Sequence, residues 1–343
     1  MKKRLLNALK IGIFVALGLF LVWFAVKDLD AQKRAEMKSS FVNAKYSWVA
    51  LSLFVGIFSH LSRAMRWKSM LEALGHKPKL KNTFMAVMVG YLANYAPIPR
   101  LGEASRCGLL NRYGKIPFTE SFGTVVAERL VDVLCLMAVF IITFFLQMQK
   151  INELAHKYVI NKITAKWTLV SNHPLFSVLA GMLFVFAFWY FLRLRKNSGK
   201  GFVSKVVNFM SGFYEGLKTV KNVKNPLAFW GHSIFIWVSY YISLQLCFQA
   251  LPETSGLGLS VGLPIFALGT LGVVFTPGGI GLYQIIVTAV MLQFQISIPV
   301  AKAFPWIVWT SQFLFILTAG LLSLILLPIL NKEEHVSPDP NPS

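Results

Sequence analysis

The sequence predicts an all-α polytopic membrane protein, and three observations predict it. Hydrophobic residues make up 55% of the chain and the mean hydropathy is +0.59. Several apolar runs approach or exceed the ~20 residues a helix needs to cross a bilayer. Two apolar regions are broken by stretches rich in proline and glycine, which a lipid-facing helix does not tolerate because hydrocarbon offers the freed carbonyls no partner. The expected layout is about six full transmembrane helices plus two re-entrant hairpins in an inverted-repeat arrangement. One membrane domain covers residues 1–330, and the polar, proline-rich stretch 331–343 reads as a disordered tail.

Lys2, Lys3 and Arg4 precede the first apolar run, Lys10 to Lys27. No clean cleavage site follows, so the run reads as a retained helix with a cytoplasmic start. A polar segment, Lys27 to Lys45, leads to a helix from Tyr46 to Trp67, with Trp67 placed at headgroup level. A basic loop carries Lys68, Lys77, Lys79 and Lys81. Phe84 to Tyr95 is apolar but too short to span. The broken stretch from Asn94 to Arg106 follows, with Pro97, Pro99, Arg100, Gly102 and Glu103 inside it. It reads as the tip and return arm of the first hairpin. A short run from Cys107 to Tyr113 and a turn at Gly114 to Pro117 precede a long helix, Phe118 to Gln147. Next come a polar loop (Met148 to Pro174), a helix (Leu175 to Leu192) and a basic loop (Arg193 to Asn225) with an interfacial helix at Phe202 to Leu217. A helix from Pro226 to Leu251 is followed by Gly258 to Phe275. Then come the second break, Pro277-Gly-Gly-Ile-Gly281, a short helix from Leu282 to Gln295 and a last helix from Ala303 to Leu330.

The net charge of +20 would suggest nucleic acid in a soluble protein. Here lysine and arginine flank membrane helices, so it reads as topology and headgroup contact, and no nucleic-acid partner is expected. With both breaks re-entrant, the basic clusters fall on the cytoplasmic side with both termini. The segment from 46 to the long helix and the segment from 226 to the end then form two units whose hairpins enter from opposite faces, the pattern that marks a transporter binding site. Cys107, Cys135 and Cys247 form no CxxC pair, the histidines (His60 among them) show no ligand spacing, and no cofactor or metal is expected. Asp28 and Asp30 form a lone DxD triplet, too little for a metal site.

Glu128 and Asp132 are four apart on one helix face, with Arg129 about 100° around. Two readings stand side by side. They face a cavity with Arg100, Glu103 and Arg106, binding an anionic headgroup or relaying protons, or they form an ion-pair network that fastens the long helix to the hairpin. Arg63 and Arg66 share a face and read either as positive-inside anchors or, with Arg100 and Arg106, as a bidentate phosphate cradle. Asn94 binds a headgroup or caps the broken backbone. Pro277, Gly278, Gly279 and Gly281 lack the Lys-Ser/Thr of a P-loop and read as a hairpin tip, with Gln284 as a polar neighbour. No nucleophile–base arrangement is evident, so an enzyme is not expected.

Four motifs in order carry a resemblance: Arg63-x-x-Arg-Trp67, Asn94-x-x-Pro-x-x-Arg-x-Gly-Glu-x-x-Arg106, Glu128-Arg-x-x-Asp132 and Pro277-Gly-Gly-Ile-Gly281. Over about residues 10–330 the chain resembles the lysylphosphatidylglycerol synthase transmembrane-region family, also called flippase-like domain proteins. That family includes the membrane half of the multiple peptide resistance factor. The resemblance implies a flippase of anionic, aminoacylated or polyprenyl-phosphate-linked lipid in a bacterial cytoplasmic (inner) membrane, with a separate lipid-modifying enzyme as a possible partner. The alternative is a lipid-binding or scaffold protein that does not transport. The chain ends at Ser343 without the synthase domain, so aminoacyl transfer is not implied. Many relatives carry an acidic residue after the second break, where this chain has Gln284. On this reading Glu128→Gln abolishes transport and leaves folding largely intact.

Overall fold

In the computed structural model, which describes residues 27, 29–96, 101–147 and 223–331, the regular elements are all helical. The expected segments at 10–26, 148–222 and 332–343, together with Asp28, Pro97, Pro99 and Arg100, lie outside the described residues. The chain divides into two compact units, residues 1–140 with 219–343, and residues 141–218. The candidate site lies wholly in the first.

The described helices are α1 (Ala31–Val42), α2 (Tyr46–Ala73), α3 (Leu80–Ala93), α4 (Leu101–Gly114), α5 (Phe118–Leu146), α6 (Pro226–Phe248), α7 (Leu259–Phe275), α8 (Leu282–Gln293) and α9 (Ile298–Leu330), with short 3-10 turns at Pro252–Thr254 and Pro277–Gly279. Four of them, α2, α5, α6 and α9, are long and apolar enough to cross a membrane, and α7 and α8 are shorter apolar helices. The apolar side chains of α5 and α9 are largely exposed, as lipid-facing surfaces require.

Several boundaries differ from the sequence expectation. The polar segment 27–45 contains α1. Asp30 caps it, accepting from Lys33 N at 2.7 Å and Lys33 Nζ at 2.8 Å. Met37 and Phe41 cluster with Leu29, Ala303 and Trp306 and hold α1 on α9. The run 101–106 is helical from Leu101, because no proline falls between Pro99 and Pro117 and Glu103 and Arg112 suit the two ends of the helix dipole. The last helix begins at Ile298, with Pro299 in its first turn, where a missing N–H costs nothing.

The α2–α6 seam explains how charge comes to be buried. On α2 the residues Ser52, Gly56, Ser59, Arg63 and Arg66 recur at alternating spacings of four and three, and on α6 Phe229, Ser233, Ile236, Tyr240, Ser243 and Cys247 do the same. Small residues on such a seam let two membrane helices approach closely. Ser243 Oγ donates to Ser52 O at 3.0 Å, and Cys247 Sγ contacts Ser52 Oγ at 3.2 Å. Farther along, the same stripe carries the two arginines into the interior.

Two helix pairs flank this seam. In the first, α3 packs on α4 at two glycines. A Cβ on Gly90 would overlap the aliphatic stem of Arg106, and one on Gly102 would overlap the Asn94 side chain and Gly90 O. In the second, α7 meets α8 where Gly272 lies against the Tyr283 backbone, a Cβ there coming within 2.8 Å of Tyr283 N and Cα. Gly320 of α9 gives the same close approach to Leu92 of α3.

Candidate functional site

Arg63 and Arg66 leave α2 one turn apart, and each reaches both carboxylates of α5. Arg63 Nη1 donates to Glu128 Oε1 at 2.6 Å and Asp132 Oδ2 at 2.8 Å. Arg66 Nη2 donates to Glu128 Oε1 at 3.1 Å and Asp132 Oδ1 at 2.8 Å, and its Nη1 to Ser233 Oγ of α6 at 3.1 Å. From α4, Arg106 Nη2 donates to Glu128 Oε2 at 2.9 Å. Glu128 is fully buried and joins three arginines from two other helices. The four-residue spacing on α5 puts Glu128 and Asp132 on one face, so both meet the arginine face of α2.

The aromatic surroundings fix the guanidiniums. Arg106 lies over the Trp67 ring, 4.1 Å from its centroid, and Trp67 Nε1 donates to Thr124 Oγ1 at 2.9 Å. Trp67 is therefore a buried floor under Arg106, not a headgroup-level anchor, because its indole N–H finds a partner on α5 and its ring finds a cation. Arg63 and Arg66 stand 5.9 Å from the Tyr91 and Phe229 centroids. Next to Arg63, His60 is buried and stacks on Phe315 at 5.8 Å, while Tyr91 OH and Tyr240 OH are 3.1 Å apart.

Arg129 and Glu103 form the rim of this network. Arg129 Nε is 3.3 Å from Glu103 Oε1, and Arg129 Nη1 is 3.6 Å from Asp132 Oδ2. Among the described residues, four guanidiniums stand against three carboxylates, an excess of one positive charge. The Nε atoms of Arg63, Arg66, Arg106 and Arg129 are buried without a hydrogen-bond partner, Arg129 Nε keeping only its 3.3 Å ion-pair contact to Glu103. At 1.5 Å per residue, Glu128 lies about 15 Å along α5 from its start, and Arg63 about 15 Å from the end of α2.

The second break lies apart from the charges. Gly278, Gly279 and Gly281 have φ of 60°, 80° and 80°, a left-handed backbone open to glycine at little cost. Gln284 Oε1 accepts from Gly281 N at 2.8 Å, and Trp309 Nε1 donates to Gly278 O at 2.8 Å. Tyr95, one residue past Asn94 at the end of α3, packs against Gly278 and stands edge-on to Phe313 at 4.9 Å. The two breaks thus meet at Tyr95 and Gly278.

The structure brings Arg63, Arg66, Glu103, Arg106, Glu128, Arg129 and Asp132 into one network. Asn94 stands beside it, its side chain against Gly102 and its N–H on Gly90 O at 3.1 Å. Pro277, Gly278, Gly279, Gly281 and Gln284 form the tip of the second pair, not the charge site. Asp30 is a helix cap, and no group of three or more His, Cys, Asp or Glu side chains able to hold a metal occurs among the described residues. Sequence reasoning missed Ser233, Thr124 and Gly90. Ser233 was readable from the four–three spacing of small residues on 226–248. Nothing in the sequence links Gly90 to Arg106 until the two helices are packed.

A multi-pass helical membrane protein with a buried, paired arginine–carboxylate network is the class that fold and site define. Within that class, the chain belongs to the family described as the lysylphosphatidylglycerol synthase TM region, which matches residues 8–320. It is similar to the UPF0104 membrane protein MJ1595 of Methanocaldococcus jannaschii, with 24% identity over 278 residues, 76% of this chain and 79% of that protein. No solved structure matches the chain.

Proposed function

We propose that this protein moves a lipid with a phosphate-bearing headgroup across the cytoplasmic membrane, by alternating access between the α3–α4 and α7–α8 pairs acting as re-entrant hairpins. The observation that carries the reading is the buried network with its excess positive charge among the described residues and its unpartnered guanidinium nitrogens. Burying ionised groups inside a membrane is costly, and such groups line substrate or ion pathways or pair with one another. Here all seven described groups are paired, and the guanidiniums among them outnumber the carboxylates by one, a positive balance that favours an anion. The meeting of the two breaks at Tyr95 and Gly278 supports the rest. In the proposed layout, six spans carry two hairpins of opposite entry, both termini are cytoplasmic, and substrate passes where the broken helices meet.

In this mechanism Glu128 and Asp132 hold Arg63, Arg66 and Arg106 in place, and the arginines create the positive potential that draws the headgroup phosphate, with Arg100 as a further candidate. Asn94 and the glycines of both tips allow the backbone to approach the passing lipid. Phosphatidylglycerol, its aminoacyl forms and polyprenyl phosphates all fit that charge, and a separate enzyme would supply any modified lipid. The reading is of a transporter, not an enzyme.

The test is leaflet exchange in liposomes holding purified protein and a labelled phosphatidylglycerol, lysyl-phosphatidylglycerol or polyprenyl phosphate, with and without a pH gradient. Exchange of one lipid class, above that of protein-free liposomes and lost in Arg66→Gln, is the expected result. No exchange of any of the three overturns the transport reading in favour of a lipid-binding scaffold for an envelope enzyme.

A further inference from the structure

Away from the charged network, the helices α6, α7 and α8 contain no lysine, arginine, aspartate or glutamate. Their polar side chains are neutral, and three of them share one stripe of α6. Trp237, Tyr241 and Gln245 recur every four residues, so they rise along one face over about 12 Å. All three are half-buried, whereas Ser233, Ser243 and Cys247 in the seam with α2 are buried. Opposite the stripe, α7 presents Gly262 and Phe266. The Phe266 ring stands edge-on at 5.8 Å to both the Trp237 and the Tyr241 rings. A Cβ on Gly262 would overlap Gln245 Nε2 and Tyr241 OH, so the glycine makes room for the two polar groups.

Hydrogen-bonding capacity is left over along this stripe. Gln245 Nε2 donates to Tyr241 OH, which leaves the Tyr241 O–H to donate and Gln245 Oε1 to accept. Trp237 Nε1 can only donate, and it is buried without an acceptor. Buried donors ordinarily have partners, because desolvating one without an acceptor is costly.

We infer that the Trp237–Tyr241–Gln245 stripe binds the neutral, hydroxyl-bearing ring of a sugar. The inference rests on the lipid-transport reading only in expecting that sugar to arrive on a lipid. A phosphate or carboxylate finds no lysine or arginine on these helices, and an ammonium finds no carboxylate. A purely apolar ligand would leave the indole N–H and the amide unmatched. A sugar hydroxyl both donates and accepts, as this mixed set of donors and acceptor requires. The C–H face of a pyranose ring is apolar and packs against aromatic rings such as those of Trp237 and Tyr241.

The experiment is saturation-transfer NMR on the purified full chain in a sugar-free polyoxyethylene detergent, with hexyl β-glucoside and methyl β-glucoside as probes. Irradiating the aromatic protons of the protein should carry saturation to the pyranose ring protons. Transfer to both probes upholds the inference for free sugars, and transfer to the hexyl form alone upholds it for lipid-borne ones. Hexyl tetra(ethylene glycol), which has the same chain and no sugar ring, should not displace the glucoside. Trp237→Phe and Tyr241→Phe keep a ring and remove one donor each, and each should weaken binding about threefold to tenfold, the loss of one neutral hydrogen bond. No transfer to ring protons in the wild-type protein, equal displacement by hexyl tetra(ethylene glycol), or wild-type affinity in both variants overturns the inference. The first two readouts need no variant, so a substitution that fails to fold does not spoil the test. Glucoside binding without leaflet exchange of any lipid leaves this inference standing and defeats the transport reading. Lipid exchange without glucoside binding does the opposite.

Discussion

Glu128→Gln tests whether Glu128 is the hub of the network or one acceptor among several. Its Oε1 accepts from Arg63 and Arg66 and its Oε2 from Arg106, at 2.6, 3.1 and 2.9 Å. An amide keeps one acceptor. Either orientation turns an NH2 towards a guanidinium and sets donor against donor. The change also raises the network's excess charge by one in a fully buried site. Removing one partner of a buried ion pair costs about 3–5 kcal/mol, and that is the expected loss of unfolding free energy. The sequence expectation of a folded but inactive variant therefore gives way to one of lost stability as well as lost transport. Reversible denaturation in mixed micelles measures the first and leaflet exchange the second. A double-mutant cycle sharpens the test. Arg106→Gln removes the opposing cation, so the pair of substitutions together should cost about 0.5–3 kcal/mol less than their sum. A Glu128→Gln variant within about 1 kcal/mol of wild type, or strict additivity with Arg106→Gln, would refute the hub reasoning.

Three further outcomes follow from the packing. Gly90→Ala sets a methyl group into the stem of Arg106 and within 3.0 Å of Gly102 O. Arg106 is held by Glu128 and Trp67 and has no free direction to move, so about 1–3 kcal/mol is lost, and a wild-type unfolding midpoint would contradict this. Gly278→Ala meets both the left-handed φ of 60° and the Tyr95 ring. In a Tyr95→Ala background the overlap goes but the backbone cost of about 1–2 kcal/mol stays, which unfolding of the single and double variants measures, and complete rescue would show the φ to be unimportant. At the surface, the Lys33 hydrogen bonds hold the Asp30 carboxyl below its usual range. Because the folded value is lowered, the cap is intact above the ordinary aspartate value of about 3.9 and fades as pH falls through the lowered one. Amide protection at Lys33 should fall there, and protection that persists well below that window would refute the capping role.

The broad fold was legible because the bilayer restricts the options. Length and hydropathy identify 118–146 and 226–248 within a few residues and the start of 46–73, whose end lies six residues beyond the expected Trp67, and the two Pro/Gly breaks fall where α3 gives way to α4 and α7 to α8. What the sequence hid was local. The 27–45 segment looked like a polar loop because lysines and glutamate dominate it. Its helix exists because Met37 and Phe41 find Leu29, Ala303 and Trp306, and Ala303 and Trp306 lie more than 250 residues away. Helix α4 looked irregular because its charges were taken with the prolines before it. Helix formation depends on where the last proline falls, not on how polar the residues after it are.

The site divides along the same physical line. Spacing alone put Glu128 and Asp132 on one face, and Arg63 with Arg66 on another, and that suffices to foresee a paired network once two helices meet. Spacing could not say which arginine is least enclosed. That depends on what covers each guanidinium: Trp67 and the close α3–α4 approach at Gly90 for Arg106, Ser233 and Phe229 for Arg66, Tyr91 for Arg63. Arg129 lies between Glu128 and Asp132 in sequence but about 100° round the helix from Glu128, and this turns it out of the seam towards Glu103. The arginines most conspicuous in the motifs are thus the ones the packing encloses. The one embedded in the acidic motif, Arg129, is the least enclosed, its side chain 37% exposed.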